Sequence, residues 1–232
     1  MSRPLFVSLE GMDGSGKTSQ AKLLSQWMTK LNIPHILTKE PGSPHLEECI
    51  KIRKLLLDPV NDLTSTSELM LFLADRAQHV AKFIRPKLAA GLHVICDRYV
   101  DSTRVYQGVS RGLGRTKLDP MLEFATGGLM PDATFIFDVP PEVGLQRARA
   151  RSTGGGDRIE REALDFHVRV RQGFLRLTES LSEQGRIILI NAAPPKTVET
   201  IHAEVIAHMS KRLWVDEVVQ EKEFDDAEEK DF

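Results

Sequence analysis

The chain has 232 residues, of which 41% are hydrophobic, and its formal net charge is −2. This length fits one large domain better than an array of small ones, and the apolar share excludes a disordered chain. No apolar run approaches the roughly 18 residues that a membrane helix needs, and residues 1–4 lead straight into a strand-like run rather than a signal peptide. We therefore expect a cytoplasmic protein with no membrane partner.

Charge is distributed unevenly along the chain. Residues 215–232 contain nine acids and two lysines, a balance of −7, so residues 1–214 carry +5. We predict one folded domain over 1–214 and an acidic, disordered tail over 215–232. The mildly basic domain suits small phosphorylated ligands, but it lacks the clustered basic and aromatic residues that nucleic acid would require. Cys49 and Cys96 have neither disulfide nor metal-ligand spacing, so we expect both to be reduced.

Five short, nearly continuous apolar runs predict five β-strands. They lie at residues 5–9, 35–38, 92–96, 133–139 and 186–190. Because the apolar residues do not alternate with polar ones, both faces of each strand should be buried. Helical patterns separate the runs, which favours crossover connections and a parallel sheet. In such a sheet, ligands bind beyond the carboxyl ends of the strands.

Apolar residues at helical spacing fill the segments between the predicted strands. The first helix follows Thr18 and closes at Asn32, ahead of Pro34. A long helix is predicted over about 64–90, with Gly91 as its stop. The remaining helical patterns cover residues 43–57, 117–127, 141–151, 160–184 and 195–214.

A glycine-rich motif lies between the first predicted strand and the first predicted helix. It reads Gly-Met-Asp-Gly-Ser-Gly-Lys-Thr over residues 11–18 and matches the phosphate-loop pattern Gly-x-x-x-x-Gly-Lys-Ser/Thr without a mismatch. Its glycines let successive N–H groups turn towards phosphate oxygens, and the helix adds its positive end. We expect Lys17 to reach the outer phosphates and Thr18 to ligate Mg²⁺. The residues predicted to bind the triphosphate are Gly11, Met12, Asp13, Gly14, Ser15, Gly16, Lys17 and Thr18.

Two further groups of residues indicate how the triphosphate is used. Asp-Arg-Tyr follows the third predicted strand over residues 97–99. A flap over about 147–159 contains Arg147, Arg149, Arg151 and Arg158 around three consecutive glycines. The Asn-Lys-x-Asp motif of GTPases and the Ser-Gly-Gly signature of transport ATPases are absent from the sequence. Converging cations suit phosphoryl transfer between phosphates, in which the protein positions groups and neutralises charge.

Together these motifs resemble the thymidylate kinase family. The matching segments are residues 10–18, 38–42 (Thr-Lys-Glu-Pro-Gly), 71–76 (Leu-Phe-Leu-Ala-Asp-Arg), 97–107 and 157–160 (Asp-Arg-Ile-Glu). They occur in the family's order, and the likeness covers about residues 4–212. The resemblance implies the phosphate-loop nucleoside monophosphate kinase fold, an α/β fold whose five-stranded parallel sheet is flanked by helices on both faces. It also implies a cytoplasmic homodimer that uses ATP and Mg²⁺ to convert dTMP to dTDP in dTTP biosynthesis.

The resemblance assigns roles around the transferring phosphoryl group. Arg98 matches the family's catalytic arginine, which bridges the acceptor phosphate and the transferring group; the structural alternative is an ion pair with Asp97. Asp97 itself would bind Mg²⁺, directly or through water. The other catalytic assignments are Lys17, Arg151 and Arg158, and Arg147 is assigned to ATP. Helical spacing puts Arg147 and Arg151 on one face and turns Arg149 away from them, so Arg149 is either a further flap cation or only a solvated side chain.

For the acceptor, the resemblance implies contacts to each part of dTMP. Phe72 would stack on the base and Arg76 would reach its carbonyl edge, because residues four apart share a helix face. Tyr106 would crowd the sugar's 2′ position and so favour deoxyribose. Asp13 would contact the 3′-hydroxyl, and Arg53 would contact the phosphate. The full predicted set is Asp13, Glu40, Arg53, Phe72, Arg76, Arg98, Ser102, Thr103, Tyr106 and Gln107.

The bacterial type of the family fits best. Thr103 and Gln107 occupy positions where bacterial members hydrogen-bond the base, and the phosphate loop has no cation besides Lys17, so the flap must supply the remaining charge. The family usually has an arginine where this chain has Lys39. Lysine keeps the positive charge but cannot form the two parallel hydrogen bonds that a guanidinium makes. Two other functions stay open at this point: a kinase for another nucleotide or deoxynucleoside, and a non-catalytic ATP-binding regulatory protein.

Overall fold

The structure is a computed structural model that describes residues 3–151, 156–180 and 183–213. A five-stranded parallel sheet forms its centre. The strands are β1 (Phe6–Glu10), β2 (His35–Lys39), β3 (His93–Asp97), β4 (Ala133–Asp138) and β5 (Ile187–Asn191). Their order in the sheet is β2-β3-β1-β4-β5, and every neighbouring pair is parallel. The predicted fold class is confirmed.

The observed strands differ slightly from the predicted ones in where they end. Four strands run one residue further at the carboxyl end, to Glu10, Lys39, Asp97 and Asn191. A polar residue ends an apolar run in the sequence, but its backbone can continue the ladder, as the pairing of Leu9 with Asp97 shows. Polar side chains, three of them charged, therefore stand at the edge of the sheet where ligands bind.

Nine α-helices and two π-helical segments surround the sheet within the described residues. The helices are α1 (Lys17–Lys30), α2 (Glu47–Leu57), α3 (Ser65–His79), α4 (Arg85–Ala89), α5 (Val100–Thr103), α6 (Arg115–Thr126), α7 (Pro141–Arg151), α8 (Leu164–Thr178) and α9 (Val198–Leu213). The π-helical segments are Val80–Ile84 and Arg104–Ser110. Residues 152–155 of the predicted flap and the predicted tail at 215–232 lie outside the described residues.

The long helix predicted over about 64–90 runs without interruption from Ser65 to Ala89, but a π-helical segment separates α3 from α4. The widened segment lies just ahead of Pro86, which has no N–H to donate. No helix was predicted over residues 100–110, which form α5 and the second π-helical segment. Most side chains there are buried, so the segment lacks the polar face that reveals an amphipathic helix.

The two faces of the sheet pack into two separate apolar clusters. On β1, Val7 and Leu9 join a cluster that includes Leu24 of α1, whereas Phe6 joins a cluster that includes Leu69 of α3 and Leu118 of α6. Successive strand residues point to opposite faces, so a strand buried on both sides needs apolar residues without alternation. Helices thus cover both faces of the sheet.

The cysteines and the helices agree with the sequence analysis. Cys49 and Cys96 are buried free thiols, as expected. None of the described helices is long and apolar enough to cross a membrane.

Register pairs Asp97 with both Lys39 and Leu9, so the chain leaves β1, β2 and β3 at one edge of the sheet. The segments that follow these strands form the candidate active site.

Candidate active site

The phosphate loop joins β1 to α1 at the edge of the sheet. Gly16 caps α1 with a left-handed backbone (φ 94°), so the N–H groups of the first turn face the loop. Gly14 also has a positive φ of 76°, and a Cβ there would lie 1.9 Å from the carbonyl oxygen of Gly144 on α7. Only glycine fits at position 14, because backbone conformation and close packing both exclude a side chain.

Two polar side chains of the loop, Ser15 and Lys17, are not fully hydrogen-bonded within the protein. The Ser15 hydroxyl is buried and forms no hydrogen bond with any residue that the structure describes. Lys17 is also buried; its Nζ donates to the carbonyl oxygen of Met12 at 3.3 Å and lies 3.6 Å from Asp13 Oδ1. Burial and the charge of Arg98 lower the pKa of Lys17. A buried cation beside the N-terminus of α1 suits an anionic ligand.

Thr18 and Asp97 face each other across the end of β3. The Thr18 hydroxyl donates to Asp97 Oδ2 at 2.5 Å. Asp97 Oδ1 is buried and has no hydrogen-bond partner within the described part of the chain. A hydroxyl oxygen next to an unpaired carboxylate oxygen is a donor set that hard divalent cations such as Mg²⁺ prefer. These two residues therefore fit the metal that the sequence predicted.

Arg98 connects the loop with the neighbouring pocket. Its backbone is left-handed, with φ 74°, which is rare for a residue other than glycine and is typical of functional sites. Its Nη1 donates to Gly11 O at 2.9 Å and to Ser102 Oγ at 3.0 Å. Its Nη2 donates to Asp13 Oδ1 at 2.6 Å, and the guanidinium lies over the Tyr106 ring. The structural alternative of an ion pair with Asp97 is thus replaced by an ion pair with Asp13.

Asp13 and Tyr106 complete this junction. The Tyr106 hydroxyl lies 3.3 Å from both Asp13 Oδ2 and Arg98 Nη2. Burial raises the pKa of Asp13, but the charges of Arg98 and Lys17 outweigh that effect and hold the pKa well below its usual range. Asp13 is therefore ionised, and it can accept a hydrogen bond from a hydroxyl group.

Glu10 anchors the segment after β3, a role that the sequence analysis missed. Its carboxylate accepts from Tyr99 N at 2.7 Å, Ser102 N at 3.2 Å and Ser102 Oγ at 2.6 Å. Burial and the nearby charge of Asp101 raise the pKa of Glu10 to about 7. The available signal was an acid at the end of a buried apolar run, directly before the phosphate loop.

An open pocket adjoins the phosphate loop. All ten residues that the resemblance assigned to the acceptor line it. Four other residues complete the wall: Pro41, Leu57, Asp157 and Ile159. Asp157 and Ile159 bring the end of the flap to this pocket, although they are distant in sequence from the other lining residues.

Arg76 and Glu40 form a buried pair in the pocket wall. Arg76 Nε donates to Glu40 Oε2 at 2.8 Å, Nη1 donates to Thr103 Oγ1 at 2.9 Å, and Nη2 donates to Tyr99 O at 3.0 Å. The second oxygen of Glu40 lies 2.9 Å from His79 Nδ1. Burial raises the pKa of Glu40, but Arg76 and His79 bring it below its usual value. Glu40 therefore orients Arg76.

Phe72 on α3 and Arg53 on α2 line the pocket from two neighbouring helices. Phe72 is half-buried and is one helical turn from Arg76 on α3, as predicted. Arg53 on α2 donates from Nη1 to Pro41 O at 2.8 Å. Gly42 has φ 81°, and a Cβ there would lie 2.5 Å from the Arg53 side chain. Glycine at position 42 thus leaves room for Arg53 to reach the pocket.

Among the flap arginines whose side chains the structure describes, Arg147 and Arg158 have different partners. Arg147 on α7 is 3.5 Å from Ala192 O, just beyond β5. Arg158 lies on the side of the acceptor pocket instead, where Nη2 donates to Glu68 Oε2 at 2.6 Å and Nε donates to Leu56 O at 2.9 Å. Arg149 is exposed, and the Arg151 side chain lies outside what the structure describes.

A phosphate loop that faces an arginine-lined pocket across the carboxyl ends of a parallel sheet defines a phosphate-loop nucleoside monophosphate kinase. The family model for thymidylate kinase matches residues 9–205. The chain is 51% identical to the thymidylate kinase of Carboxydothermus hydrogenoformans, covering 75% of this chain and 84% of the relative. It is 44% identical to that of Trichormus variabilis, covering 90% and 96% respectively. The crystal structure of thymidylate kinase from Ehrlichia chaffeensis superposes with a TM-score of 0.72 at 31% identity, covering 90% of this chain and all of that one.

This chain belongs to the thymidylate kinase family. The match extends from β1 into α9, so it includes both the phosphate loop and the acceptor pocket. The chain is therefore a phosphotransferase that binds nucleotides, as the sequence predicted.

We expect Glu10→Gln to change how stability depends on pH. The pKa of Glu10 is raised from 4.5 to about 7, so the folded protein holds a proton that the unfolded chain releases. The contribution of this bound proton to the free energy of unfolding is fully present below pH 4.5 and is lost as the pH rises through 7. Between these values, the free energy of unfolding of the wild type should fall relative to Glu10→Gln by up to about 3 kcal/mol. Urea unfolding at a series of pH values measures the difference, and parallel pH profiles would contradict it.

Proposed function

We propose that the chain transfers the γ-phosphoryl group of ATP to dTMP, with Mg²⁺, and releases dTDP and ADP. The observation that carries this proposal is the position of Arg98, which hydrogen-bonds the phosphate loop at Gly11 O and also lines the acceptor pocket. One guanidinium is thereby within reach of both phosphate groups. No observation favours another acceptor or a protein without turnover.

The reaction places several negative charges in one site, so the protein must neutralise charge and align the reactants. Lys17 and the N–H groups at the start of α1 would bind the donor phosphates, and Arg98 would bridge donor and acceptor. Thr18 and Asp97 would hold Mg²⁺, which supplies charge neutralisation to the donor phosphates when bound. The positive φ of Arg98 fixes its direction before substrates bind, which reduces the reorganisation that transfer requires.

Each part of dTMP has a matching group in the acceptor pocket. The Phe72 ring offers a flat apolar face for the base, and Arg76, held by Glu40, offers donors to its carbonyl edge. Tyr106 and Asp13 would surround the sugar, with Asp13 accepting from the 3′-hydroxyl. In this proposal Arg53 binds the phosphate. The remaining assignments in the pocket are Ser102, Thr103 and Gln107.

The flap assignments differ in how much movement they require. Gly144 of α7 lies against the phosphate loop at Gly14, and Arg147 follows Gly144 by three residues on the same helix, so we assign Arg147 to ATP. Arg151 ends the same helix one turn later. Arg158 could act on the transferring group only after breaking its contact with Glu68. We retain all three as proposed ligands of the donor.

We also infer a cytoplasmic homodimer with one folded domain over 1–214. Phe124 on α6 is 91% exposed and Met70 on α3 is 49% exposed, and these two helices pack against each other. Large apolar side chains on neighbouring helices favour an interface that excludes water. A second copy of the chain is the partner that the family resemblance suggests.

A coupled assay of ADP release with a panel of nucleoside monophosphates tests the proposed function. We expect dTMP to be the preferred acceptor. Lys17→Ala should lower kcat by about 10²–10³-fold, because it removes charge stabilisation from the donor phosphates. Lys17 is buried, so the melting temperature of the variant must be checked. Preference for another acceptor would indicate a different kinase, and equal ADP release by Lys17→Ala would exclude the assigned role.

Tyr106→Ala should weaken discrimination between deoxyribose and ribose. Removing the ring opens space beside Asp13 for a 2′-hydroxyl, although activity should fall because Arg98 packs on the same ring. The ratio of kcat/KM for dTMP to that for its ribose analogue measures the effect. Tyr106→Phe is the matched control, since it keeps the ring and should keep the ratio. An unchanged ratio in the alanine variant would remove Tyr106 from sugar selection.

Arg53→Ala and Arg147→Ala should affect different substrates. Loss of a charged hydrogen bond to phosphate costs about 1.5–3 kcal/mol, so Arg53→Ala should raise the KM for dTMP by about 10- to 100-fold. Arg147→Ala should lower kcat or raise the KM for ATP while leaving the KM for dTMP nearly unchanged. Exposed Arg149 on the same helix provides the control Arg149→Ala. If Arg147→Ala weakened only dTMP binding, the assignment of Arg147 to the donor would be wrong.

A further inference from the structure

Glu68 on α3 makes contacts that the proposed mechanism does not use. Its side chain is 1% exposed and lies one helical turn before Phe72, which lines the acceptor pocket. Gln107 Nε2 donates to Glu68 Oε1 at 2.8 Å. Arg158 Nη2 donates to Oε2 at 2.6 Å, and Arg111 donates to both oxygens at 3.2 and 3.3 Å.

These contacts keep the Glu68 carboxylate ionised. Burial raises the pKa of Glu68, but the hydrogen bond from Gln107 and the charges of Arg111 and Arg158 bring it below its usual value. An ionised carboxylate accepts hydrogen bonds and cannot donate one. Any polar side chain that packs against it must therefore present a donor.

This requirement determines the orientation of the Gln107 amide. Gln107 is 1% exposed and lines the acceptor pocket. Its Nε2 must face Glu68, because two acceptor oxygens in contact would repel each other. The carbonyl oxygen Oε1 is then the amide atom left for the pocket. A base with a ring N–H can donate to that oxygen, whereas cytosine has an acceptor nitrogen at the equivalent ring position.

We propose that Glu68 is a positioning residue for base recognition: it holds the Gln107 amide so that Oε1 accepts from the imide N–H of thymine and disfavours cytosine. This inference rests on the proposed dTMP kinase function. The competing explanation is purely structural, with Glu68 serving only to tie Arg111 and Arg158 to α3. The two explanations differ in base selectivity, because a structural ion-pair cluster has no reason to distinguish thymine from cytosine.

Glu68→Gln tests the proposal with dTMP and dCMP as acceptors. The single carbonyl oxygen of the new amide should accept from the charged arginines, which leaves its NH₂ group facing Gln107. Gln107 then turns its own NH₂ group towards the pocket, where it opposes the thymine N–H and suits cytosine. The ratio of kcat/KM for dTMP to that for dCMP should fall by about tenfold, the effect of exchanging one matched hydrogen bond.

Two comparisons separate positioning from structure. In a Gln107→Ala background, Glu68→Gln should leave the ratio unchanged, because the side chain that it orients is absent. Glu162→Gln removes the other carboxylate that pairs with Arg111, at 2.6 Å, without touching the contact between Glu68 and Gln107. This control should keep the wild-type ratio. If Glu162→Gln lowers the ratio as much as Glu68→Gln does, the loss of selectivity comes from disturbing the ion pairs of Arg111 rather than from turning the Gln107 amide, and the inference is overturned.

Glu68→Asp covers the case in which Glu68→Gln does not fold. Aspartate keeps the charge for the arginines but ends one methylene short of Gln107, so the same ratio should fall. An unchanged ratio in a folded Glu68→Gln or Glu68→Asp variant overturns the inference while wild-type activity on dTMP still supports the proposed function. Wild-type protein that does not phosphorylate dTMP overturns the proposed function itself, and this inference with it.

Discussion

The guanidinium of Arg98 lies between the phosphate loop and the acceptor pocket, and its ion pair with Asp13 at 2.6 Å fixes it there. Arg98 directly follows β3, and Asp13 lies three residues beyond β1, so the pair forms only because these adjacent parallel strands end at one edge. Glu10 restrains the same segment by accepting from Tyr99 N and Ser102 N. The pairing of β1 with β3 thus determines where two phosphate groups can meet.

Charged groups around the acceptor pocket are paired inside the protein. Arg76 is bound to Glu40, and Glu68 is bound to Arg111 and Arg158. Desolvation offsets much of the attraction within a buried ion pair, so such pairs add little net stability. Their effect is geometric, because donors and acceptors are already oriented when a base enters. A site prepared in this way loses less entropy on binding than one built from free side chains.

Sequence reasoning identified what depends on local pattern. The strands follow from apolar runs buried on both faces, and the phosphate loop follows from glycines that a strand-to-helix turn requires at positions such as 14. It missed what depends on long-range contacts. Glu10 and Glu68 look like ordinary acids in the sequence, since their partners lie about 90 and 40 residues away along the chain. The helical segment after β3 was missed because burial on nearly all sides removes its periodicity.

The donor side is organised differently from the acceptor side, for an electrostatic reason. Arg147 rests near a backbone carbonyl and Arg149 is exposed, whereas Arg158 lies at the acceptor pocket, where it is paired with Glu68. Several guanidinium groups gathered without an anion would repel one another, and burying them would cost solvation energy. The acceptor pocket avoids this cost by pairing each buried arginine with a carboxylate or carbonyl oxygen. A role for Arg158 in catalysis therefore requires an anion that competes successfully with Glu68 for its guanidinium, and a triphosphate has the charge to do so.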